Sequence, residues 1–185
     1  WKGLVLIKTV IDFANKEAVL EVSKKIGIDF ICAPAHDLGL MSASYVSNKL
    51  NLPGYDKFET TKNILFKNRF KFFSLKIGFN TPLNFNHDLN YKELLDQSST
   101  KLFIVKPVDM GGGKGISIVQ NQTQLKKAKI KAYSFSHSNK IIIEEFIKGS
   151  LHSLSTFIFN KKIIFHYHDN EFCFINPFSV STSSG

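Results

Sequence analysis

Apolar positions recur along the chain in two rhythms, short unbroken runs and a period of about 3.6 residues, and these divide it into elements. Residues 3–10 are apolar and β-rich and predict a buried strand. Asn15 stands where a helix N-cap is wanted, Val19, Val22 and Ile26 repeat at helical spacing, and Gly27 ends the pattern. Residues 28–32 read as a second short strand stopped by Ala33-Pro34, and residues 41–50 as a helix with Tyr45, Val46 and Leu50 on one face. Strand, helix, strand, helix at this pace predicts a parallel α/β unit. Asn51-Leu52-Pro53-Gly54 breaks it, so a domain boundary is expected near 54.

Beyond that break the pattern predicts a long helix over 59–77, closed by Gly78 and followed by Thr81-Pro82, then a shorter helix over 88–97. From Lys101 the rhythm changes. Residues 102–107 read as a strand, 109–115 as a glycine loop and 116–119 as a returning strand. Asn121 and Gln124 have near capping-box spacing ahead of a basic helix. A strand is expected over 140–147 with a turn at Gly149, then a hairpin of 154–159 and 162–167 across Asn160-Lys161, and an irregular last segment.

Composition changes this picture little. The net charge of +9 raises nucleic acid or anionic lipid as partners. The basic residues are scattered, however, and the densest patches, Lys67-Asn68-Arg69-Phe70-Lys71 and Lys126-Lys127-Ala128-Lys129, read as solvated helix faces. No apolar run approaches a membrane span, and no signal peptide is visible. Cys32 and Cys173 are isolated among apolar neighbours and read as buried free thiols, which suits a reducing cytoplasm. The chain opens on Trp1 rather than Met and stops within a run of small polar residues, so both ends read as cut.

Candidate chemistry concentrates in Lys106 and the loop Asp109-Met110-Gly111-Gly112-Gly113-Lys114-Gly115. Four glycines cost backbone entropy, which a tight turn that approaches a ligand explains economically. Such a loop can turn N–H groups toward phosphate, with Lys106 and Lys114 adding positive charge. It is not a P-loop, because Gly115 follows Lys114 where Ser or Thr is needed. Nor is it the dinucleotide fingerprint, because Ile116 stands at the last glycine.

Lys106 on a strand, the glycine loop, and then Ile142-Ile143-Glu144-Glu145-Phe146-Ile147-Lys148-Gly149 together resemble the ATP-grasp superfamily. Lys67 upstream of Gly78-Phe79-Asn80-Thr81-Pro82 is similar to that family's first nucleotide-contacting lysine. The resemblance implies an α/β fold with an α+β lid. Residues 1–54 would be the tail of a Rossmann-like domain that precedes the ATP-grasp domain, and 55–185 a partial ATP-grasp domain with its lid at about 101–145 and the start of the second lobe. It implies ATP and Mg²⁺ as cofactors, with Lys67 and Lys106 on phosphates, Gly111, Gly112, Gly113, Lys114 and Gly115 covering them, and Glu144, Glu145, Phe146 and Ile147 holding adenine. In that role Glu144 would orient the exocyclic amine.

The implied reaction is carboxylate–amine or carboxylate–thiol ligation through an acyl phosphate. Two departures stand against the family pattern. Relatives often place a ribose-binding Glu shortly after the hinge glycine, whereas 149–153 holds no carboxylate. The acidic residue and Asn that hold Mg²⁺ do not follow before Gly185; Asp169 and Glu171 read as a solvated loop, so the metal ligands are expected beyond the chain and the chain alone is expected to be inactive. His152, His166 and His168 have no cysteine or carboxylate spaced to complete a zinc site. A non-catalytic nucleotide- or anion-binding module and a basic nucleic-acid-binding protein are the alternative classes.

Overall fold

A computed structural model describes residues 8–33 and 36–184. The chain divides into two compact units, Trp1–Phe73 and Ser74–Gly185.

In the first unit, α1 (Lys16–Ile26) begins where the Asn15 side chain accepts the Ala18 N–H at 3.1 Å and ends at Gly27, whose φ of 71° is the left-handed turn that glycine adopts without strain. Helix α2 (Asp37–Leu50) starts four residues earlier than its apolar pattern suggests, because His36 Nδ1 accepts the Leu38 N–H and caps it. Its buried face is Ser42, Ala43, Ser44, Val46 and Ser47, small side chains that allow close approach of α1 and of α3 (Phe58–Leu65). Ser44 Oγ and Thr61 Oγ1 lie 2.8 Å apart and join α2 to α3.

Three expectations change here. The strand over 3–10 falls mostly outside the described residues, and 8–10 are not strand. Residues 28–32 form no strand and pair with none among the described residues: the Ile28 N–H turns back to the Ser23 carbonyl, and Phe30 is 74% exposed. An apolar run becomes a strand only when a ladder partner takes its N–H and C=O groups. For the same reason Cys32 is exposed rather than buried. The helix over 59–77 is two helices, α3 and α4 (Lys67–Lys76), because Phe66 turns extended at φ −80°, ψ 116°. No Gly or Pro marks that break in the sequence.

The second unit holds β1 (Asn84–Phe85), α5 (Tyr91–Asp96), β2 (Phe103–Pro107), β3 (Ser117–Val119), α6 (Gln122–Phe135), β4 (Ile141–Glu145), β5 (Leu151–Phe159), β6 (Lys162–Phe172) and β7 (Thr182–Ser184). One antiparallel sheet has the order β1-β4-β2-β3 and the other β5-β6-β7. Phe103 and Val105 of β2, Ile141 and Ile143 of β4 and Val119 of β3 share a face. Leu125, Ala128 and Ala132 of α6 pack against them at helical spacing. Burying Phe103 completely contributes about 1.5–3 kcal/mol. In the second sheet, Asn160 and Lys161 have φ of 48° and 62°, the paired positive values of a type I′ hairpin turn. Strands β1 and β7 were not expected, and β6 runs on to Phe172, so the region read as a loop around Asp169 and Glu171 is strand.

Candidate functional site

Antiparallel pairing sets Ile104 opposite Glu144 and Lys106 opposite Ile142, so Lys106 and Glu144 are diagonal neighbours on the sheet face turned away from α6. Their side chains meet, Lys106 Nζ to Glu144 Oε2 at 2.5 Å, with Glu144 only 5% exposed. An ion pair this dry survives only with its partner in place. Glu144 thus lies against the Lys106 ammonium.

The same face carries Ile118, which pairs with Ile104, into a cleft of about 770 Å³. The cleft runs between the two sheets of this unit. Phe146, Ile147, Gly149 and Ser150 line one end, and Ile116, Pro177 and Phe178 are the residues nearest the glycine loop. Phe172, Cys173 and Phe174 line it as well, which leaves Cys173 half-buried on its wall. At about 3.3 Å per residue, the level of Lys106 lies roughly 13 Å along β4 from Phe146.

Residues 145–147 keep fewer free backbone groups than a bare strand end would offer. The Glu145 N–H donates to the Leu83 carbonyl at 3.0 Å and the Phe146 N–H to the Leu102 carbonyl at 2.9 Å, while Glu145 Oε1 accepts the Leu83 N–H. The Phe146 carbonyl and the Ile147 N–H bond to nothing else among the described residues. These two groups belong to one trans peptide and point to opposite sides of the strand, so a heterocyclic edge can meet only one of them.

The glycine loop is built from left-handed residues: Gly112, Gly113 and Gly115 have φ of 63°, 71° and 74°. Gly115 is pressed on Pro107 and Phe135, where a Cβ would come within 2.7 Å of the Pro107 ring. A Cβ on Gly113 would lie 2.5 Å from the Phe178 carbonyl oxygen, so the loop touches the 176–178 turn that walls the cleft. Gly111 accepts the Lys114 N–H at 3.4 Å, and Lys114 is exposed. At the loop's base, Asp109 accepts the Ser136 hydroxyl at 3.0 Å and the Ser138 N–H at 2.6 Å.

Thus Lys106, Glu144, the loop and the 145–147 strand end lie in one unit. Lys67, half-buried at the start of α4, belongs to the other. No group of three or more His, Cys, Asp or Glu side chains placed to hold a metal ion occurs among the described residues. Glu171 is the residue that sequence reasoning placed wrongly: it sits on β6 and lines the cleft. A smaller hollow of about 360 Å³ in the first unit, among Phe13, Val19, Ile31 and Ala43, gives phosphate or ribose little to bond. No described helix is long and apolar enough to cross a membrane.

Two antiparallel sheets thus flank a cleft, and Lys106, the glycine loop and the 145–147 strand end lie in the same unit. The phosphoribosylglycinamide synthetase ATP-grasp (A) domain family matches residues 67–174, more than half of the chain, and the chain belongs to this ATP-grasp family. A D-alanine–D-alanine ligase from Pelobacter propionicus is 48% identical over 46 residues, which are 25% of this chain and 14% of that protein. Among solved structures, an L-amino acid ligase from Bacillus licheniformis superposes with a TM-score of 0.63 at 21% identity, covering 90% of this chain and 39% of that one. The biotin carboxylase domain of a Hydrogenobacter thermophilus 2-oxoglutarate carboxylase, solved with MgADP and bicarbonate, gives 0.62 at 16% identity over 80% and 35% of the two chains. The chain therefore spans less than half the length of these solved relatives.

Proposed function

We propose that the chain is the ATP-binding portion of an ATP-dependent carboxylate–amine or carboxylate–thiol ligase that works through an acyl phosphate. The observation that supports this reading is that one unit holds Lys106, the glycine loop and the 144–147 strand end, with Phe146 and Ile147 lining a cleft of about 770 Å³ and Lys106 some four residues further along the sheet. Adenine edge-bonds to the strand end, with Ile118 and Phe172 against its faces. Lys106, held by Glu144, takes a phosphate oxygen in a charge-assisted bond, and the 111–115 loop presents N–H groups over the phosphates. Lys67 is assigned a second phosphate contact. Positioning and neutralised charge then favour attack by a substrate carboxylate on the γ-phosphate. The acid, amine or thiol sites and the Mg²⁺ ligands belong to the whole protein rather than to the described residues. The 185-residue chain alone is expected to bind nucleotide poorly and to turn none over.

The test is product analysis on the whole protein supplied with ATP and a panel of carboxylic acids. ADP and phosphate should form with the accepted acid, and hydroxylamine should divert the intermediate to a hydroxamate. Release of AMP and pyrophosphate would mean adenylation and would overturn the reaction assigned here.

A further inference from the structure

Both ends of the glycine loop are fixed to one place, the C-terminal end of α6. At the far end, Gly115 is buried against Pro107 of β2 and Phe135 of α6, where a Cβ would meet them at 2.7 and 2.9 Å. Lys131 of the same helix donates to the Ile116 carbonyl at 3.1 Å. At the near end, the Asp109 carboxylate divides its oxygens between two donors. Oδ1 accepts the hydroxyl of Ser136, the C-cap of α6, at 3.0 Å, and Oδ2 accepts the Ser138 N–H at 2.6 Å. Ser136 Oγ in turn accepts the Lys140 N–H at 3.0 Å, and the Lys140 carbonyl accepts the Val108 N–H at 3.2 Å. Asp109 thus ties the first residue of the loop to α6 and to the residue before β4, while Gly112 and Lys114 between the two ends are exposed.

A carboxylate two residues ahead of Gly111 is electrostatically wrong for a loop that receives phosphate, because like charges repel. Its use is therefore geometric. A loop with four glycines loses much backbone freedom when its N–H groups are lined up on a ligand. Fixing its ends beforehand removes part of that cost, and bonds to a charged acceptor hold better than neutral ones. We infer that Asp109 is a positioning residue. It touches no nucleotide, and it holds residues 110–114 where their N–H groups meet phosphate. This assignment rests on the nucleotide reading above and adds to it the mount on which the loop is carried.

The test measures equilibrium binding of ATP and of adenosine to the whole protein and to its Asp109→Ala and Asp109→Asn variants, with amide hydrogen exchange of residues 110–114 in the absence of nucleotide. Asp109→Ala should weaken ATP about tenfold, leave adenosine within about twofold and speed exchange across the loop. Asp109→Asn keeps an oxygen to accept the Ser138 N–H and an amide to donate to Ser136 Oγ. With the repulsive charge gone, it should bind ATP at least as tightly as the unaltered protein. Tighter ATP binding in both variants would make Asp109 a charge effect alone and overturn the positioning role. Equal losses of ATP and adenosine in Asp109→Ala, unchanged loop exchange, or an Asn variant as weak as the Ala variant would overturn it too, with nucleotide binding intact. Failure of the unaltered protein to bind ATP would overturn the nucleotide reading, and this assignment with it.

Discussion

The two sheets of the second unit hold similar apolar side chains and treat them in opposite ways. Phe103, Val105 and Ile143 of the four-stranded sheet are fully shielded beneath α6, whereas Phe157, Ile163 and Phe165 of the β5–β6 hairpin are 60%, 59% and 59% exposed. The difference lies in the partner rather than in residue type. Helix α6 offers a stripe of Leu125, Ala128 and Ala132, and no described element offers the hairpin an equivalent face. Apolar content makes a core only where a complementary surface removes it from water.

Truncation at equivalent phenylalanines breaks the comparison most directly. Phe103→Ala should cost about 3–5 kcal/mol of stability, and Phe165→Ala should stay within about 0.5 kcal/mol, both measured by denaturant unfolding. A large loss at Phe165 would show that the hairpin is covered in solution. The glycine loop gives a second contrast. Gly115→Ala forces a Cβ to within 2.7 Å of Pro107 at a φ of 74°, and should cost about 2–4 kcal/mol. At Gly112, also left-handed but with nothing within 4 Å, the same change should cost about 1–2 kcal/mol. Equal values would mean that the packing of Gly115 on β2 and α6 adds nothing to backbone strain. The smallest effect is expected at the hairpin tip: Lys161→Gly relieves a left-handed lysine and should raise thermal stability by about 0.5–1 kcal/mol.

Local signals were legible where a residue's own chemistry decides the structure. Asn15 and Gly27 bound α1, Asn121 caps α6, and the Asn160-Lys161 turn joins β5 to β6, as their side chains and backbone preferences dictate. Where pairing decides, the sequence was silent. Strands β1 and β7 are short, contain polar Asn, Thr and Ser, and are strands because β4 and β6 present edges to them. The break at Phe66 has no marker, and the 28–32 run finds no ladder among the described residues. The candidate site follows the same division. Lys106, the glycine loop and 144–147 stand out as motifs, and the ATP-grasp family was readable from their order. The Lys106–Glu144 contact depends on strand register, and Glu171 reaches the cleft only because β6 continues past Tyr167.

The central claim is the proposal that Lys106 grips a nucleotide phosphate. Replacing Lys106 alone would remove the ion pair to the buried Glu144 carboxylate and confuse binding with stability. The decisive measurement therefore compares Glu144→Gln with Lys106→Met/Glu144→Gln for their affinities toward ATP and adenosine. Loss of the ammonium should weaken ATP by about ten- to a hundredfold and leave adenosine within about twofold. Equal losses for ATP and adenosine, or no loss for ATP, would contradict a phosphate contact at Lys106.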